Sequence, residues 1–232
     1  MTTPLPNFQP LIENKTGLEI GGPSPYLIPT GIYTSPKSLD NAIYSSQTIW
    51  HKTSDTLQYE FPGKSVPGKV IINDITDMKD IPSSTYDFIV ASHILEHLVN
   101  PLKALSEITR VLKPYGICIL VLPWKEGTFD HKRPISSFNK LLINYIQNRS
   151  EDTVDDYLDE VRNFYDITRD SGIKSITDLV ERCKDHKSNR ALHVHVFDFA
   201  LIIRCLIFFN YNIINYQLSS PYHQFVVAQR RG

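Results

Sequence analysis

Residues 86–123, YDFIVASHILEHLVNPLKALSEITRVLKPYGICILVLP, hold two buried-strand signals and one well-punctuated helix in a fixed order, and the rest of the chain can be placed around them. Phe88 to Ala91 is an unbroken apolar run with β-branched residues, which suits a parallel strand covered on both faces. Asn100 can cap a helix and Pro101 can take its first position. Leu102, Leu105, Ile108, Val111 and Leu112 then return at helical spacing, and Pro114 and Gly116 end the helix. A second apolar run, Ile117 to Leu122, follows at once. This order predicts a right-handed crossover, in which the loops leaving the carboxyl ends of the strands line a ligand crevice. Those loops are Ser92 to Leu98 and Pro123 to Arg133.

At 232 residues and 41% hydrophobic content, the chain fits one globular domain with an insertion. A net charge of -1 gives no field to gather nucleic acid or an anionic membrane, so neither is expected as a partner. Cys118, Cys183 and Cys205 have no metal-like spacing and suggest no disulfide framework. The amino-terminal residues lack an apolar signal core, and the apolar segment Phe199 to Phe209 is too short to span a bilayer and carries Arg204. A cytoplasmic location without metal is the expectation.

Taken in order, residues 1–16 are proline-rich and polar, a surface arm. Gly17 to Ser24 reads as a short first strand entering a glycine turn, where a doubly wound sheet brings backbone close to a ligand. A second strand over Ser35 to Leu39 ends at Asp40. This acid lies about 20 residues beyond the turn, where a carboxylate accepts ribose hydroxyls of a nucleotide. Residues 41–66 show no clean period, although Trp50 and several tyrosines suggest packing. Val70 to Ile75 is a third strand containing Asp74, which either faces a ligand or caps the following turn. Residues 138–148 look helical. Residues 150–190 are charged, with Val154, Leu158, Val161 and Tyr165 at apolar helical spacing. Phe197 to Phe209 predicts a helix apolar nearly all round and therefore deeply buried. Tyr211 to Leu218 and Gln224 to Gln229 form two last strands joined by SSPYH.

Asp87, Leu95-Glu96-His97, Glu107, Arg110-Val111-Leu112-Lys113-Pro114 and Gly116 form a contiguous pattern across both strands and the helix. In it the chain resembles the class I S-adenosylmethionine-dependent methyltransferases, in the small-molecule, methyltransferase type 11-like branch. Tyr115 stands where that family usually has glycine. The resemblance implies a Rossmann-like α/β sheet of seven strands, ordered 3-2-1-4-5-7-6 with the last antiparallel, and a helical insertion at 127–196 that serves as a substrate lid. It implies that Gly21 and Gly22 leave room for the methionine portion of the donor and that Glu19 orients their turn. Asp40 would hold the ribose, and Asp74 or the adjacent backbone the adenine amine. Ile75 would pack on the ring, and Ser92 would border the donor. The family's third glycine and following helix are replaced by Pro23-Ser24-Pro25 and Pro29.

The activity this implies is methyl transfer from S-adenosylmethionine to a small molecule. The expected acceptor is an oxygen of a sugar or other polyhydroxylated metabolite, because a hydroxyl acceptor benefits from a histidine base. His131, on the loop after the fifth strand, is the first candidate, with His93 or His195 beside it. Two other readings compete. His93-Ile94-Leu95-Glu96-His97 fits H-x-x-E-H, the inverted zinc-peptidase pattern, which requires a helix. The prolines after Gly22 are also compatible with a methyltransferase fold that has lost its donor and survives as a binding or scaffold module. His193 and His195 alternate along an extended segment, a weak metal signal by spacing alone.

Overall fold

The computed structural model describes residues 4–48, 58–59 and 68–232. Trp50 and most of the unreadable stretch around it lie outside the described residues. Among the described residues eight strands form one sheet: β1 (Thr16–Ile20), β2 (Ser38–Ile43), β3 (Gln58–Tyr59), β4 (Gly68–Ile72), β5 (Tyr86–Ser92), β6 (Leu112–Pro123), β7 (Tyr211–Ser219) and β8 (His223–Arg230). Their order is β3-β4-β2-β1-β5-β6-β8-β7. The expected seven-strand order is therefore present, with the two-residue β3 added antiparallel at one edge. From β4 to β6 every neighbour is parallel, and β8 runs antiparallel to both β6 and β7.

The central crossover follows from its local signals. Helix α2 (Pro101–Val111) follows the short amino-terminal helix α1 (Gln9–Ile12). It starts where Asn100 Oδ1 accepts from Lys103 N at 3.1 Å with Pro101 inside the first turn. Leu102, Leu105, Ile108 and Val111 are buried on its sheet-facing side. The helix stops at Val111 rather than at Pro114, because Leu112 already pairs with Tyr86 as the first residue of β6. The residue before a proline is in any case biased toward extended backbone.

The polar residues of this stretch act as clamps. Arg110 grips Glu107 at 2.8 Å and donates to the carbonyls of Met78 and Ile81, while Glu107 accepts from Met78 N. This pins the connection between β4 and β5 to α2. Asp87 accepts from Thr16 N at 3.0 Å and pairs with Lys113 at 2.8 Å, which locks the start of β5 to those of β1 and β6. Tyr115, in the position where the resembled family has glycine, is left-handed with φ +61° and mostly exposed.

Two elements depart from expectation. β2 runs to Ile43 instead of stopping before Asp40, so Asp40 is an interior strand residue paired with Leu18. Its carboxylate is satisfied sideways, by Lys69 N and the Tyr86 hydroxyl, both at 2.9 Å, which is how an acid can stand inside a strand. The carboxy-terminal helix, expected to be buried all round, is covered on one side only. In this helix, α7 (Phe199–Phe208), Leu201, Ile202, Cys205 and Leu206 are buried, yet Ile207 is 60% exposed.

Between β6 and α7 lie α3 (Phe138–Ile146), α4 (Leu158–Phe164), α5 (Ile176–Lys184) and α6 (His186–Asn189). Val161, Tyr165, Ile173, Leu179, Cys183 and Leu192 give this segment an apolar cluster of its own. Arg133, fully buried, ties it to the sheet's rim. Its guanidinium donates to Asp130, to Glu160 and to the backbone carbonyls of His193 and Val194. All three cysteines are free and buried. Among the described residues no helix is long and apolar enough to cross a membrane.

Candidate functional site

At the carboxyl edge of the sheet the turns after β1, β2, β4 and β5 surround a cavity that opens to solvent. Gly21 forms its floor and Tyr44 follows β2. Asn73, Asp74 and Ile75 follow β4, and Ile94, His97 and Leu98 follow β5. Asn189 and Arg190, from the end of α6, close one side.

The glycine turn is a consequence of space. Gly21 sits at φ +78° with its N–H on the Ala42 carbonyl at 2.9 Å, and a Cβ there would meet Ile94 Cδ1 at 2.4 Å. At Gly22 a Cβ would fall 1.9 Å from the Glu19 carboxyl carbon, so the turn rests on that acid. Glu19 is fully buried behind the cavity rather than in it. It accepts from the Tyr33 hydroxyl at 2.8 Å and from the Tyr59 hydroxyl. Burial pushes its carboxyl up to about 7, against the pull of Tyr59, Tyr33 and the Ser24 backbone. The folded state thus keeps a proton that the unfolded chain releases near 4.5, and stability drains away as pH rises from there through about 7. Glu19→Gln, which cannot ionise, should shed this dependence. Between pH 5 and pH 8 its stability relative to wild type is expected to rise by about 2–3 kcal/mol in chaotrope unfolding. A difference that does not move with pH would show that Glu19 stays ionised in the fold.

The acid after β4 is largely spoken for. Asp74 Oδ1 accepts from Thr76 N and Oγ1 at 2.8 Å, the turn-capping arrangement, and Oδ2 accepts from Arg190 Nη2 at 2.7 Å. Its neighbour Asn73 is different. The Asn73 amide nitrogen donates to Asp80 at 2.6 Å and to the Ile72 carbonyl, which fixes the amide's orientation, and its Oδ1 is buried with no hydrogen-bond partner among the described residues. Asn73 lines the cavity, so a buried acceptor without a donor among the described residues stands beside it. Arg190 is left-handed at the end of α6, pairs with Glu151 as well as Asp74, and lies 4.5 Å over the Tyr44 ring. A residue of the insertion thereby joins two strand ends across the cavity.

Of the candidates named from sequence, Gly21, Asp74 and Ile75 line this cavity. Asp40 does not, because β2 continues three residues past it and carries Tyr44 to the rim instead. Gly22 stands behind the turn. Ser92, at the end of β5, is buried and bonded to the Tyr26 hydroxyl. The three candidate histidines are dispersed. His131 Nε2 is held by Asp166 at 2.8 Å and borders neither this cavity nor the small one described next. His195 is buried between Val99 O and Ser136 Oγ, each at 3.2 Å, and burial pushes it down to about 3. It lines a second, smaller cavity with Glu96, Asp130 and His193. His93, left-handed at φ +53°, reaches His223 Nδ1 at 3.0 Å, and His223 stacks on Tyr26 at 4.1 Å. His93 and His97 do not share a helix. His93 is left-handed, only Leu95–His97 forms a 3-10 turn, and the inverted zinc-peptidase geometry is absent from this stretch.

Asn73, Tyr44 and Arg190 were missed from sequence. Asn73 adjoins an acid that drew the attention, Tyr44 was hidden by the early end assigned to β2, and Arg190 lies 116 positions from its partner Asp74.

Residues 30–120 match the family model described as a methyltransferase domain. A demethylmenaquinone methyltransferase of Chlamydia muridarum (strain MoPn / Nigg) is 31% identical over 80 residues, 34% of this chain; the match spans about a third (33%) of that relative's length. Two solved structures share the fold across nearly the whole chain. An S-adenosylmethionine-dependent methyltransferase of Mesorhizobium loti aligns with TM-score 0.54 and 11% identity, covering 95% of this chain and 93% of that one. A second, from Methanosarcina mazei, aligns with TM-score 0.51 and 16% identity, covering 95% and 94%.

Proposed function

We propose that the chain is a class I S-adenosylmethionine-dependent methyltransferase, in keeping with its methyltransferase-domain match, and that it moves the donor's methyl group to an oxygen of a small, polyhydroxylated molecule such as a sugar. The observation that carries this reading is the cavity itself: a left-handed glycine, a buried amide oxygen with no partner among the described residues and the apolar walls of Ile75, Ile94 and Leu98 meet at one sheet edge. That set fits an adenosine-bearing ligand. Gly21 admits close backbone approach, Asn73 Oδ1 accepts from an exocyclic amine, and the aliphatic side chains cover a ring.

When bound, the donor supplies a methyl group on a positively charged sulfur, open to in-line attack. The chain's own task is to hold a hydroxyl about 3 Å from that carbon and to keep water out. Hydroxyl and imidazole groups of Ser92, Tyr26, His93 and His223 gather beside the glycine turn and supply hydrogen bonds for orienting a polar acceptor. Of the three histidines expected to face the acceptor, His93 is the one placed in that group. Arg190 and Asn189 contribute the wall that the insertion lays over the donor.

Calorimetry with S-adenosylhomocysteine tests the reading. The chain is expected to bind it, and Asn73→Ala to weaken binding about tenfold, the worth of one hydrogen bond to a group otherwise left unpaired. Asp40→Asn, whose carboxylate serves Lys69 and Tyr86, should change affinity by less than about threefold, within half a kcal/mol or so. Absence of binding at millimolar ligand would leave the fold as a non-catalytic module.

A further inference from the structure

We infer that Glu96, His97 and His193 form a binding site for a zinc-type divalent metal ion, set in the wall between the two cavities. Their ligand atoms, one carboxylate oxygen and two imidazole nitrogens, lie within 4.8 Å of one another. Two histidines and one glutamate are a donor set that zinc accepts with a fourth position left open.

The carboxylate is the telling group. Glu96 is 1% exposed, and neither of its oxygens makes a hydrogen bond among the described residues. The imidazole nitrogens of His93 and His97 stand 3.4 and 3.8 Å from Oε1. A buried carboxylate left this way is costly unless a cation compensates it. Each histidine also has the outer support that metal-bound imidazoles have. His193 Nδ1 meets Asp130 Oδ2 at 2.6 Å, and His97 Nδ1 meets the Leu192 carbonyl at 3.1 Å. Asp130 is itself fixed by Arg133 at 2.8 Å. The backbone builds the site from both sides, since the Glu96 carbonyl accepts from Val194 N at 2.7 Å and holds the 193–195 segment against the 3-10 turn.

Ligand atoms around tetrahedral zinc lie about 3.4 Å apart, given metal–ligand bonds near 2.0–2.1 Å. Loading would therefore draw the three side chains together by roughly an ångström, within reach of small torsional changes. His97 borders the donor cavity, while Glu96 and His193 border the smaller one.

The test uses the full chain, purified without metal-affinity resin. After chelator treatment and desalting it is titrated with zinc against a chromogenic chelator and, separately, with cobalt(II), whose visible absorption reports nitrogen and oxygen ligation. We expect one ion per chain, a cobalt band in the wild type, and a loss of zinc affinity of more than about tenfold in both Glu96→Gln and His193→Ala. His131→Ala, outside the cluster, should match wild type. The cobalt band is read on the unaltered protein, so a variant that unfolds does not remove the test. No cobalt band with less than about a tenth of an equivalent of zinc, or equal affinity in wild type and both folded variants, would overturn the site. Retained S-adenosylhomocysteine binding alongside either result separates its failure from that of the methyltransferase reading.

Discussion

Arg133→Ala is expected to lower the unfolding free energy by about 3–5 kcal/mol, the cost of leaving a buried ion cluster without one partner. The guanidinium is fully buried and answers two carboxylates and two carbonyls: Asp130 at 2.8 Å, Glu160 at 2.9 Å, and the backbone oxygens of His193 and Val194 at 2.7 and 3.1 Å. Removing it orphans both carbonyls and leaves Asp130 dependent on His193. The loss should fall first on the joint between the insertion and the sheet, because this side chain bridges α4, the 130–133 turn and the 193–194 segment. Arg133→Lys should recover only part of it, since a single ammonium cannot copy the guanidinium's fork. Chaotrope unfolding reads the difference, and hydrogen exchange in α4 and α5 locates it. A cost below about 1 kcal/mol would mean that water or neighbouring groups replace the guanidinium without strain.

Gly21→Val should abolish donor-site binding, with affinity for S-adenosylhomocysteine falling at least about a hundredfold, or some 3 kcal/mol. Two effects add. A β-branched residue at φ +78° is strained by about 1–2 kcal/mol, so the turn moves toward negative φ and the N–H that now meets Ala42 O is displaced. Its side chain also points at Ile94, whose Cδ1 would lie 2.4 Å from the new Cβ, so the two groups crowd the cavity floor between them. The fold should survive, because the strand before the turn keeps its pairing with β2 and β5. Calorimetry on a variant with unchanged far-ultraviolet circular dichroism is the measurement. Affinity within threefold of wild type would place the ligand elsewhere.

The fold was legible because its signals are local. A four-residue apolar run, an Asn-Pro helix start and a second run suffice to define strand, helix and strand, and the alternation of such units leaves few topologies. The site was legible only in part, and the reason lies in where side chains are satisfied. Asp40 matched the spacing of a ribose acid, yet whether an acid ends a strand or stands inside it depends on Tyr86 and Lys69, which approach from other strands. His131 was attractive for lying on a crevice loop, but its Nε2 meets Asp166 of the insertion, a partner that no local pattern announces. His97 and His193 are 96 positions apart and were each weak as motif letters. Packed edge to face with ring centroids 4.7 Å apart beside Glu96, they become a cluster.

By itself the amino-acid sequence determined the sheet, the crossover and the glycine turn, since periodicity, caps and a required φ act over a few residues. Tertiary structure alone decided which polar groups face the cavity. A carboxylate, amide or imidazole points to a ligand only when no other part of the chain answers it; Arg190 answers Asp74 from a segment that only folding brings near, while Asn73 Oδ1 has no partner among the described residues.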